Sequence, residues 1–170
     1  MKNGYSRIAS TLVIGLTLCS IAGTAEAQTD AALLGGWVIA EWEAPDGRDG
    51  PVPQRGLFVF TESGHYSMMF VFGGARAALE ANPSDAQIAA AYNPFVANSG
   101  RYSVSGAEVT YEAFVAKDPA YMAGFAGTDG AGNAQTITYG VADGRLTLTF
   151  PEGDGPMGGA KVTLRRPGAQ

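Results

Sequence analysis

Cysteine and histidine are almost missing from this chain. Its 170 residues contain one of each, Cys19 and His65. One cysteine forms no internal disulfide and no multi-thiolate metal site, and a lone histidine without neighbouring acidic ligands makes no metal centre. Charge is scarce as well. Charged residues make up 16% of the chain, and 11 Lys and Arg face 16 Asp and Glu for a net charge of −5. That balance leaves no basic stripe for nucleic acid or for an anionic membrane surface. Gly-x-Ser-x-Gly, His-Glu-x-x-His, P-loop and dinucleotide fingerprints are all absent, so no cofactor and no metal is expected. What the chain has in quantity is apolar side chains, at 46%, and glycine, at 24 residues. The first excludes a disordered chain. The second, lacking a Gly-X-Y period, excludes collagen and points to many tight turns.

The N-terminal segment reads as an address. Lys2 and Arg7 precede an apolar stretch from Ile8 to Ala22, and Ala25-Glu26-Ala27 supplies a small-x-small cleavage pattern. Residues 1–27 are therefore expected to be a signal peptide, cut between Ala27 and Gln28, with export to the periplasm or beyond. The apolar run falls short of the roughly 20 residues that span a bilayer. Lipidation at Cys19 would need a small residue before it, and Leu18 stands there. Cleavage leaves 143 residues, residues 28–170, with no cysteine and a net charge of −6. A chain of that length can bury a core as one domain. No membrane span is expected after cleavage, and nothing in the sequence sets an oligomeric state.

Most of this remainder alternates between short apolar runs and turn signals. Strands are expected at 34–44, 56–61, 65–72, 100–105, 108–116, 134–141, 145–150 and 161–165. Asp143-Gly144 between alternating runs marks a hairpin. Residues 75–81 are alanine-rich and predict helix. Ser84 and Gln87 have capping-box spacing, and Asn93-Pro94 stops the helix that they start. Acidic turns at Asp129–Asn133 and Glu152–Asp154 lack the spacing of a calcium loop. An antiparallel barrel of about eight strands with a helical insert accounts for the pattern, since closure removes the edge strands.

Several segments together resemble the bacterial lipocalin-like domain family of calycin-type barrels. Leu34-Gly35-Gly36-Trp37-Val38-Ile39 resembles its opening strand, in which Gly-x-Trp places an indole at the barrel floor. The run from Gly56 to Ser67 resembles its second hairpin. Tyr92 to Tyr102 resembles its helix-to-strand junction, and Val162 to Arg166 its closing strand with a terminal arginine. The resemblance spans residues 33–166. It departs at the fifth strand, where the family often carries histidine and this chain has Val109-Thr110-Tyr111-Glu112. It also departs before the late hairpin, where Gln135 or Thr136 stands near a frequent arginine. The resemblance implies an all-β, up-and-down barrel with an interior that is either open to a ligand or packed solid.

Alternation assigns the interior. Trp37, Ile39 and Glu41 are expected to point inward from the first strand, followed by Phe58, Phe60, Tyr66, Met68, Phe70, Phe72, Tyr102, Val104, Tyr111, Ala113, Ile137, Tyr139, Leu146, Leu148 and Phe150. From these, Glu41, Phe58, Tyr66, Met68, Phe70, Tyr102, Tyr111 and Tyr139 are the candidate ligand-binding residues. Trp37 and Arg165 are assigned to the barrel base, with Arg165 or Arg166 covering the indole. His65 is expected in a surface turn. The function that follows is capture of a small apolar molecule, for sequestration or transport. Two alternatives stand beside it. One is an isomerase or cyclase in which a buried Glu41 works with a tyrosine as acid–base partner. The other is a packed barrel that serves as an interaction module, with Met157 exposed on its loop. Intact-mass measurement on the protein recovered after export is expected to give a chain that begins at Gln28, and a full-length mass would refute the leader.

Overall fold

The computed structural model describes residues 29–45, 52–122, 134–153 and 157–168. The leader, its cleavage site, the Asp129–Asn133 turn and Asp154 lie outside the described residues. Eight strands form one closed barrel in sequence order: β1 (Gly35–Glu43), β2 (Pro53–Phe60), β3 (His65–Phe72), β4 (Phe95–Ser105), β5 (Glu108–Ala116), β6 (Gln135–Ala142), β7 (Arg145–Thr149) and β8 (Lys161–Arg165). Every neighbouring pair is antiparallel, and β8 returns to β1. The connections differ between the two ends. Three tight hairpins, 61–64, 106–107 and 143–144, close one end, and the longer connections all lie at the other. At Asp143 and Gly144 φ is 51° and 71°, the paired left-handed geometry that a two-residue hairpin needs.

The inward register holds along nearly every strand. Trp37, Phe58, Phe60, Tyr66, Met68, Phe70, Tyr102, Tyr111, Ala113, Ile137, Leu146, Leu148 and Phe150 are all buried, and Ile39, Phe72, Val104 and Tyr139 pack against them. Val109, Val162, Leu164 and Leu33 complete the core. Glu41 is the correction. Its side chain is 63% exposed on the outer wall, 3.7 Å from Arg145. A bulge causes this: Ile39 faces Leu164, but Glu41 already faces Thr163, so Ala40 is the extra residue. One inserted residue exchanges the two faces of everything after it. Trp42 therefore turns inward against Phe70 and Phe72, at ring-centroid distances of 5.9 and 5.7 Å. Gly56 leaves room for this packing, since a Cβ there would lie 2.6 Å from Ile39 Cδ1 and 2.7 Å from Phe70 Cβ.

Two further expectations are corrected. Residues 75–81 form no helix. Alanine's propensity alone does not stabilise so short a segment without an apolar face to bury. The helix that does form, α1 (Asp85–Tyr92), carries the expected capping box. Ser84 Oγ accepts from the Gln87 N–H, and Gln87 Oε1 accepts from the Ser84 N–H at 2.8 Å. Its last carbonyls are served by cations from outside it. Arg76 donates to Ala91 O, and Lys117 Nζ donates to the carbonyls of Tyr92 and Asn93. Met157 is the second of these corrections: it is half-buried, packed against the core rather than displayed.

A bulge in β5 answers the one in β1. Ser99 faces Val115 and Gly100 faces Ala113, so Phe114 is extra, and Phe114 and Val115 both face solvent. The strands approach closely here. A Cβ on Gly100 would stand 1.9 Å from the Glu112 carbonyl oxygen, whereas one on Gly140 meets nothing within 4 Å. Gly100→Ala is expected to destabilise the barrel by about 2 kcal/mol or more through overpacking, and Gly140→Ala to change stability little. Urea unfolding of the two variants checks the difference.

Candidate functional site

The two ends of the barrel interior are built differently. At the hairpin end the core is packed solid and its polar atoms are satisfied. The indole of Trp37 is 1% exposed and donates from Nε1 to Leu33 O at 2.7 Å. Arg166 lies over the indole face with its guanidinium carbon 3.6 Å from the ring centroid. The same guanidinium donates to Leu34 O at 2.6 Å, which ties the N-terminal turn to the end of the barrel. The cation over Trp37 is thus Arg166. Arg165 is a β8 residue opposite Val38 and Arg145, and its Nη1 donates to Arg166 O. In sequence the two arginines are adjacent, and only the end of β8 decides which one turns beneath the floor.

Two of the expected ligand-binding tyrosines are committed in this packed half. Tyr102 donates to Thr61 O at 3.0 Å, which fastens β4 to the β2–β3 turn. Tyr139 donates to Asp30 Oδ2 at 2.7 Å. Burial, the Asp30 hydrogen bond and the nearby carboxylate charge push the Tyr139 phenol up to about 12. Phe58 is fully buried and stacks on Phe70 with planes 3° apart.

The open end holds a cavity of about 230 Å³. Tyr66, Met68 and Phe70 line it from β3 and Tyr111 from β5. Val96 and Asn98 enter from β4, and Phe150 and Met157 from the far side. Four of the eight expected residues therefore line the cavity, three lie in the packed half, and Glu41 lies outside the barrel. Asn98 was reachable by alternation: Tyr102, Gly100 and Asn98 share one face, once β4 is extended back to Phe95.

The polar groups around the cavity divide into engaged and unengaged ones. Lys117 is held by the carbonyls at the end of α1, and Asp118 Oδ1 accepts from the Ala120 N–H at 3.0 Å. Of the buried side-chain polar atoms among the described residues, two have no hydrogen-bond partner, Asn98 Oδ1 and the Tyr111 hydroxyl. The Tyr111 ring stands edge-on to Tyr66, with centroids 4.7 Å apart. Burial, followed by the neighbouring phenols, holds the Tyr111 hydroxyl well above the usual tyrosine range, and burial raises Tyr66 too. Both remain neutral hydroxyls at physiological pH. His65 is exposed, as expected, but as the first residue of β3 rather than in the turn, with its Nδ1 3.0 Å from Ser63 Oγ. Among the described residues no three His, Cys, Asp or Glu side chains meet at one point, and no helix is long and apolar enough to cross a membrane.

The closed ring of eight antiparallel strands, tight hairpins at one end and a cavity at the other, decides the architecture. The fold is a closed, up-and-down, eight-stranded antiparallel β-barrel. No protein-family model matches the chain, and no curated protein matches it. Among solved structures, a lipocalin-like protein from Bacteroides uniformis ATCC 8492 is similar at 18% identity and a TM-score of 0.43. The match covers 79% of this chain and 98% of that one. An uncharacterized protein from Bacteroides eggerthii DSM 20697 is similar over the same shares, at 15% identity and a TM-score of 0.42. The barrel assignment rests on the strand order itself.

The Asp30–Tyr139 bond carries a pH signature. The Tyr139 hydrogen bond, then the Ala32 N–H, lowers the Asp30 pKa below its ordinary value. A carboxylate depressed in the folded state stabilises above its unfolded pKa of about 3.9, and the contribution fades as pH falls through the folded value. Asp30→Asn is therefore expected to lower the thermal midpoint at pH 7, with the gap to the parent protein narrowing at pH 3. An equal gap at both pH values would remove the carboxylate from the account.

Proposed function

We propose that this barrel is an exported binding protein that takes up a small, mainly apolar molecule at its open end, for sequestration or transport. The observation that carries this reading is the cavity, whose inner wall is built from Met68, Phe70, Val96, Phe150 and the Tyr66 and Tyr111 rings. An apolar, concave site with a few polar atoms is the usual form of a small-molecule pocket. The packed half supports the reading from below, because a rigid floor pre-forms the cavity and lowers the ordering cost of binding. Export rests on the leader read from residues 1–27.

Acid–base chemistry through Glu41 does not fit this site, because that carboxylate is on the outer wall with Arg145. Sequestration needs no reacting group, and the inner wall supplies apolar surface and neutral phenols.

Native mass spectrometry of the protein purified gently from the exporting cell is expected to show an adduct of a few hundred daltons, on the order of a drug-sized pocket occupant. Val96→Trp narrows the cavity near its mouth. It is expected to abolish the adduct while leaving the far-ultraviolet spectrum and thermal midpoint near those of the parent. An adduct that survives Val96→Trp would place the ligand elsewhere.

A further inference from the structure

We infer that the guest is an uncharged molecule bearing a hydroxyl group, read by Asn98 Oδ1 and the Tyr111 hydroxyl. The inference deepens the binding reading above and rests on it.

The starting point is the partner count. Buried polar atoms in native proteins nearly always hold a hydrogen bond, and one left unmade is costly. Here the two unpartnered ones are on the wall of the same cavity. Tyr111 is 4% exposed, so its hydroxyl is not simply turned to bulk solvent. The two interior phenols that lie away from the cavity show what this fold does with a hydroxyl it needs for packing: Tyr102 and Tyr139 each reach a protein acceptor. Tyr111 does not, although a phenylalanine would fill the same space without the polar atom.

The chemistry of the two atoms selects the ligand group. An amide oxygen only accepts, and a phenol both donates and accepts. A ligand hydroxyl donates to the first and exchanges a hydrogen bond with the second. A carboxylate has no proton to give Asn98 Oδ1. The cation that lines the cavity, Lys117, is an exposed side chain that bonds the Tyr92 and Asn93 carbonyls, so a buried carboxylate would meet no buried cation among the described residues. An ammonium would face no carboxylate on the inner wall, since the acid at the cavity is the rim residue Asp118, engaged with Ala120 N–H. Burying either ion without its partner is far costlier than burying a hydroxyl that is hydrogen-bonded. Raised phenol pKa values agree with a site that stays neutral.

Four probes of matched size test this by calorimetric titration of the full-length chain and of its Tyr111→Phe and Asn98→Leu variants: benzyl alcohol, toluene, benzoate and benzylammonium. The parent protein is expected to bind benzyl alcohol and toluene and to bind the two ions at least about tenfold more weakly than the alcohol. Tyr111→Phe is expected to weaken benzyl alcohol roughly tenfold, the effect of one lost hydrogen bond to a buried group. Toluene affinity is expected to stay unchanged or to rise. The ligand-free Tyr111→Phe variant is expected to unfold at the same or a higher temperature, because it removes an unpaired polar atom. Asn98→Leu repeats the pattern from the other side of the site. If toluene binds but benzyl alcohol affinity is indifferent to both substitutions, the hydroxyl inference fails and the cavity reading stands. If either ion binds more tightly than the alcohol, the uncharged assignment fails. If none of the four binds, the cavity reading itself is wrong.

Discussion

Hydrogen bonding between the first strand and the last is the constraint on which this structure depends. Without the β1–β8 pairing the sheet would have two open edges and no enclosed interior. Closure also fixes what each side chain can do. β1 must pair with β2 on one side and β8 on the other, and it meets both only by carrying an extra residue at Ala40. That single insertion sends Glu41 and Glu43 to the outer wall, beside Arg145 and Lys161, and brings Trp42 inside against Phe70 and Phe72. The exposed ion pairs contribute little to stability. The consequence that matters is that no carboxylate from β1 enters the barrel.

The interior then divides along its length. Below, Trp37 is enclosed by Leu33 and Arg166, and each polar tip from Trp37, Tyr102 and Tyr139 has a protein acceptor. Above, a cavity is left, on whose wall an amide oxygen and a phenol have no hydrogen-bond partner among the described residues. Stability and recognition are thereby assigned to different halves of one barrel. The β3–β4 connection joins the two functions at the rim: Arg76 and Lys117 hold the carbonyl end of α1, and this spends the cation closest to the cavity on structure rather than on a ligand.

Much of this was legible in the residues. Seven of the eight strands were recognisable from start to finish within a few positions, because period-two alternation and Gly, Asp and Pro turns are local signals. The exception in extent was β4, which begins at Phe95 rather than Gly100. Asn93-Pro94 and the helix before it drew the boundary too late, and Asn98 was lost to the site with it. The Ser84 capping box was equally local and was read correctly. The helix expected over 75–81 was not found, because alanine propensity says nothing about whether a segment has a surface to pack on. At the site, Tyr66, Met68, Phe70 and Tyr111 were identified by facing inward, which alternation reveals. Phe58, Tyr102 and Tyr139 face inward as well, but Phe58 is covered by Phe70 and the two phenols are held by Thr61 O and Asp30, contacts that alternation does not reveal.

The sequence by itself determined the class of fold, the inward face of most strands and the scarcity of reactive groups, since each of these follows from residue type and near-neighbour spacing. Tertiary structure alone decided three things: where the strand registers slip, which arginine covers the floor and which buried polar atoms of the described residues lack a partner. The reason is common to all three. A bulge is set by the demands of two neighbouring strands at once, the Arg166–Trp37 contact joins opposite ends of the chain, and a hydrogen bond is counted as missing only when every distant group that could have made it is in place.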